Sequence, residues 1–195
     1  MLLSLVVLVG AIQNLLVQLW RGLSPWGLKE VVNQWACTTM TFGRWQPSVA
    51  DWVKVNVDGS MSINNLKAFV GKAVRGPNGG WLVGFKMVLG MNGIFQIEAK
   101  AILEGLKLAW AKGFKCVELE SDNAMLIEII HNGLATLSSV AEVRQIHDWC
   151  SKNWEVKFRH IQWNSNKVAN CIAKADGGVI EKLVILDDPP QYVRC

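Results

Sequence analysis

Valine alternates with polar residues at the start of the central region. Val53, Val55 and Val57 stand against Lys54 and Asn56, the period of two expected of a strand, ending at Asp58-Gly59. Lys67 to Arg75 and Trp81 to Val88 read as two further strands. Between them Gly76-Pro77-Asn78-Gly79-Gly80 supplies residues that tolerate positive φ, which predicts a hairpin turn. The first three strands therefore form an antiparallel meander.

The pattern then changes. Residues 95–112 are rich in Ala, Leu, Lys and Glu, with Gly113 as a stop, and predict a long helix. A strand is expected over 115–120, then a helix over 123–131 capped by Ser121 or Asp122. A helix over about 138–151, an alternating strand over 154–161 and a last helix over about 165–175 follow. The order β-β-β-α-β-α-α-β-α predicts an α/β fold with a mixed five-stranded sheet. Three strands are antiparallel, two are added in parallel, and helices cover both faces. A right-handed crossover sets the strand after the first helix beside the first strand, in parallel.

Hydrophobicity is unevenly spread. Residues 1–20 carry no charge and are just long enough to span a bilayer as a helix. They lack the basic start of a secretory signal. Arg21 and Lys29 follow them, and would leave the rest of the chain on the cytoplasmic side of an anchor. Gln13, Asn14 and Gln18 interrupt the run, and the apolar residues from Ile12 onward keep helical spacing. A membrane contact, a packed or interfacial helix and a remnant of an upstream region all stay open. The chain divides into an apolar segment and linker over 1–43, a domain over 44–178 and a tail over 179–195. Asp187-Asp188-Pro189-Pro190 breaks that tail.

Composition narrows the class. Of the 195 residues, 51% are hydrophobic and 18% charged, which excludes disorder, collagen and coiled coil. Residues 44–178 hold 16 Lys and Arg against 12 Asp and Glu, so the whole net charge of +4 sits there and leans towards a polyanionic partner. Lys100, Lys107, Lys112 and Lys115 are candidate phosphate contacts, and Ser60 and Asn123 weaker ones to backbone or sugar. The five cysteines are odd in number and form no CxxC pair. That argues against a disulfide framework or zinc site and for a reducing, intracellular compartment, nucleus or cytoplasm.

Three acidic residues gain meaning from their places. Asp58 ends the first strand, Asp122 lies just past the fourth, and Glu98 is expected in the first turn of the long helix. Neighbouring parallel strands bring their carboxyl ends together, and sites form there. Taken singly, these residues read as a turn, an N-cap and a helix-dipole partner. Together they make a cluster of like charges that calls for a hard cation, Mg2+ or Mn2+.

With these residues in place the chain resembles the ribonuclease H family, in particular the plant ribonuclease H-like domain of retroelement-derived proteins. The resemblance covers about 44–176. It rests on Lys54 to Ser60, on Val74-Arg75 with Gly79-Gly80-Trp81, and on Glu98-Ala99 with Ala101, Gly105-Leu106, Ala109 and Gly113. It is completed by Glu120-Ser121-Asp122, by His160, by Asn166 to Lys174 and by the leading Trp45-x-Pro47.

The resemblance implies an endoribonuclease that uses two divalent ions to hydrolyse the RNA strand of RNA–DNA hybrids, acting as a monomer. It assigns Asp58, Glu98 and Asp122 to the first three metal-binding carboxylates, and His160 to proton transfer or product release. At the fourth position the family's aspartate is replaced by Asn170, whose amide oxygen can ligate a cation but brings no charge. Phe69 replaces a residue that is usually small. Two outcomes follow: a working hydrolase, or a weakened nucleic-acid-binding or vestigial module.

Overall fold

The computed structural model describes residues 50–62, 66–175 and 182–193. Strand β1 (Val53–Ser62) runs into the meander with β2 (Lys67–Arg75) and β3 (Trp81–Gly90). Helix α1 (Ile94–Ala111) leads to β4 (Cys116–Ser121), and α2 (Ala124–His131) and α3 (Ala141–Cys150) precede β5 (Glu155–His160). Helix α4 (Lys167–Lys174) and strand β6 (Leu183–Leu186) complete the order. The apolar run 1–20 and the start of the expected domain at 44 lie outside the described residues. Among the described residues no helix is long and apolar enough to cross a membrane.

The sheet order is β5-β4-β1-β2-β3-β6, with β1 parallel to β4, β4 parallel to β5, and the other pairs antiparallel. The predicted meander and parallel crossover are both present. The sheet has six strands where five are expected. Leu183-Val184-Ile185-Leu186 pairs with the outer edge of β3 instead of trailing as a tail. Trp81 Nε1 donates to the carbonyls of Leu186 and Asp187 at 3.3 and 3.1 Å, which ties down that join.

Adjacent residues of β2 face opposite layers. Gly71 abuts α4: a Cβ there would lie 2.2 Å from the Ala173 nitrogen, so only glycine lets the helix backbone rest on the strand. Lys72 points the other way, fully buried towards α1 beside Gly105, with its Nζ 4.6 Å from the centre of the Phe85 ring. The core between sheet and α1 is built from Val55, Val57, Val70, Phe85, Ile102 and Leu106, among others. Phe69 is buried in β2 opposite Ser60 and fits the sheet without interrupting its register.

Candidate metal centre

Asp58 lies within β1, which continues to Ser62 instead of ending at Asp58-Gly59. Gly59 is therefore no turn residue. It is the point where α1 comes close: a Cβ on it would lie 2.9 Å from Ile97 Cγ2 and 3.2 Å from the Glu98 backbone nitrogen. That approach brings Glu98 over the strand. Glu98 is the fifth residue of α1, beyond the first turn where it is expected, and it is buried. Asp122 follows β4 but does not cap the next helix. Asn123 does so, accepting from the Leu126 amide at 3.0 Å, while Ser121 Oγ accepts from the Asn123 amide. Asp122 is thereby free to face Asp58 and Glu98. One oxygen from each of the three carboxylates lies within 4.8 Å of the others.

Burial raises the carboxyl of each of the three acids, and for Glu98 and Asp58 their mutual repulsion adds to it. Burial, reinforced by Asp58 and Asp122, pushes the Glu98 carboxyl up to about 9, against a hydrogen bond from the Gly59 amide. Burial and then Asp122 raise Asp58 to about 7, while Lys174 and the Asn170 amide pull the other way. Asp122 is raised by burial too, with Asn166 and His160 opposing. Glu98 Oε2 is buried and has no hydrogen-bond partner among the described residues.

Helix α4 supplies the other side of the site. Asn166 is 1% exposed, and its Nδ2 donates to the Val57 carbonyl at 2.7 Å, pinning the start of α4 to β1. One turn later Asn170 Nδ2 donates to Asp58 Oδ2 at 3.3 Å, so the fourth predicted position does reach the cluster. His160 stands apart from the carboxylate group but shares a cleft of about 450 Å³ with Asp122, Gln162, the exposed Trp163 and Asn164.

The lysines expected to hold phosphate are engaged elsewhere. Lys100 and Lys107 both pair with Glu104, at 3.2 and 2.9 Å. Lys112 faces Asp187 at 3.8 Å, and Lys115 lies over the Trp110 ring. Lys115 also precedes β4, whereas Asp122 follows it, so the length of the strand separates them. Ser60 is half-buried opposite Phe69, and Asn123 is occupied as a cap. Sequence reasoning gave no role to Asn56 or Glu120 and read Gly59 as part of a turn. Their signal is positional: each sits one or two residues from a site carboxylate.

The family described as reverse transcriptase-like matches residues 56–176. This stretch spans all the site residues and most of the described fold. The chain belongs to that family, whose domain is of the ribonuclease H type. A candidate ribonuclease H protein of Arabidopsis thaliana is 31% identical over 130 residues, 66% of this chain and 21% of that protein. The chain thus spans about a fifth of that relative's length. Ribonuclease H1 of Halobacterium salinarum superposes with a TM-score of 0.55 at 20% identity, over 63% of this chain and 94% of the archaeal one. A ribonuclease H1 crystallised with an RNA/DNA hybrid superposes at 0.53 with 16% identity, over 62% of this chain and 92% of its own. These superpositions show that the sheet and helices follow the ribonuclease H fold.

Proposed function

We propose that the domain is a divalent-metal-dependent endoribonuclease that hydrolyses the RNA strand of RNA–DNA hybrids, acting as a monomer in the nucleus or cytoplasm. The observation that carries this reading is the gathering of Asp58, Glu98 and Asp122 within 4.8 Å, with Glu98 Oε2 buried and unpartnered. Such a set fits Mg2+ or Mn2+, which favour oxygen donors. Bound cations would supply the positive charge that lets the three acids ionise together, and Lewis acidity towards a phosphodiester. Asp58, Glu98 and Asp122 would hold two ions, with Asn170 offering a neutral oxygen. Glu98 must release its proton to take part. His160, beside Asp122 in the cleft, can accept or donate a proton at its imidazole. The hybrid as substrate is supported by family membership and by the hybrid-bound relative of the same fold. The test is incubation of the full chain with labelled hybrid and Mg2+. Cleavage abolished by EDTA and by Asp58→Asn is expected, and cleavage no higher than that of Asp58→Asn would overturn the reading.

One observation favours a second reading, hybrid binding without turnover. Asn170 donates its amide hydrogen to Asp58 where a fourth carboxylate would stand. Salt-sensitive binding of hybrid with no cleavage, and cleavage gained in Asn170→Asp, is the pattern this reading expects.

A further inference from the structure

Behind the carboxylates, on the sheet face that carries Asp58, lies a buried polar cluster that the chemistry above does not use. Glu120 accepts from Lys54 Nζ at 2.7 Å with one oxygen and from Asn56 Nδ2 at 2.7 Å with the other. Lys54 also lies 3.3 Å from Glu118, and Glu118 receives Arg159 Nη2 at 2.7 Å. Side chains of β1, β4 and β5 are thus laced together across the sheet. Lys54 and Asn56 are each 1% exposed, and Glu120 is 2% exposed.

The fold alone does not demand such a cluster. Buried ion pairs replaced by apolar residues of similar volume often leave stability unchanged or improved. Its location suggests what it is for. The parallel pairing of β1 with β4 runs from Val53 opposite Val117 to Asn56 opposite Glu120. Asp58 and Asp122 each stand two residues beyond that last rung, Asp58 within β1 and Asp122 just past the end of β4, where the β1–β4 pairing has ended. The Asn56–Glu120 bond is the final side-chain link between the two strands before the site. A hydrogen bond of 2.7 Å to a buried carboxylate is short and stiff.

We infer that Asn56 and Glu120 are positioning residues, whose bond at the last rung fixes the separation of Asp58 and Asp122 and with it the affinity of the site for a divalent cation. The inference rests on the metal-dependent reading above. Outer partners that orient metal ligands commonly change affinity by about 10- to 100-fold when removed.

The test is Mn2+ binding by the full chain, followed by electron paramagnetic resonance of the free ion, with thermal unfolding in EDTA alongside. Asn56→Leu keeps the branched shape of the side chain, in a larger volume, and removes the bond. Glu120→Gln keeps the shape and an acceptor for Lys54 but removes the charge that grips Asn56. In Asn56→Leu, Mn2+ affinity is expected to fall about tenfold while the chain still unfolds cooperatively, and Glu120→Gln should fall between it and the unmodified chain. If Asn56→Leu does not fold, Glu120→Gln decides alone. Unchanged Mn2+ affinity in the folded variants would overturn the positioning role and leave the metal-dependent reading standing. No Mn2+ binding by the unmodified chain would overturn both.

Discussion

Asn170 Nδ2 donates to Asp58 Oδ2 across 3.3 Å, where a carboxylate would add a fourth like charge. Asn170→Asp is therefore expected to raise divalent-ion affinity and hybrid cleavage by about tenfold or more, a barrier change of roughly 1.4 kcal/mol. It should also lower the melting temperature in EDTA; titration calorimetry, a cleavage assay and thermal unfolding read the three effects. Glu98 yields a pH prediction. Its folded carboxyl keeps its proton to about 9, whereas the unfolded one loses it near 4.5. Between those values the native state binds more protons than the unfolded state, so this residue's contribution to stability falls as pH rises. Glu98→Gln removes the penalty: in EDTA its melting temperature should gain on the unmodified chain steadily from pH 5 to 9. Saturating Mg2+ at pH 8 should reverse the order. Lys72 tilts the other way, because burial lowers its pKa well below the ordinary lysine value and the native state binds fewer protons than the unfolded one. That is why the paired comparison, not the absolute curve, isolates Glu98. Lys72→Met should stabilise the protein by about 1–3 kcal/mol, read by urea unfolding, since Nζ has no hydrogen-bond partner among the described residues.

Among elements, α4 and β6 hold the lessons. Helix α4 reaches Asp58 because Gly71, paired opposite Asp58 in the β1–β2 register, lets the helix backbone sit on β2. Gly71→Val would drive α4 off the strand. A loss of roughly 2–4 kcal/mol is expected, with weaker metal binding because Asn166 and Asn170 move together. The strands of the meander, the long helix and the parallel crossover were legible because period and turn chemistry are local. Strand β6 was not legible. Its four apolar residues precede a double proline and could be called a strand only once an open edge on β3 was known. Ending the chain at residue 182 should expose that edge, lower stability by about 1–3 kcal/mol and promote association, measurable by unfolding and light scattering.

At the scale of the molecule, the sheet separates a packing side from a working side. Val55, Val57, Val70 and Leu119 belong to the core on the α1 side, while Lys54, Asn56 and Asp58 share the other face with Glu118 and Glu120. The net charge of +4 suggests weak electrostatic capture rather than a strong basic groove, because Lys100 and Lys107 are tied to Glu104. Hybrid binding in Ca2+ should weaken by only about tenfold between 50 and 200 mM salt, as expected for roughly two neutralised phosphates. Fluorescence anisotropy measures this, and a much steeper slope would point to basic residues outside the described region.

The sequence by itself determined the order of elements through β5, the parallel placement of β4 beside β1, and the candidacy of Asp58, Glu98, Asp122 and Asn170. The order of elements and the three carboxylates follow from period, turn residues and position on the elements, the parallel placement follows from crossover handedness, and Asn170 follows from the family resemblance. Tertiary structure decided whether those side chains meet. It made Gly59 a contact point instead of a turn and bound Asn56 to Glu120. Both depend on which backbone lies within a few ångströms in space, and the spacing of residues along the chain does not encode that distance.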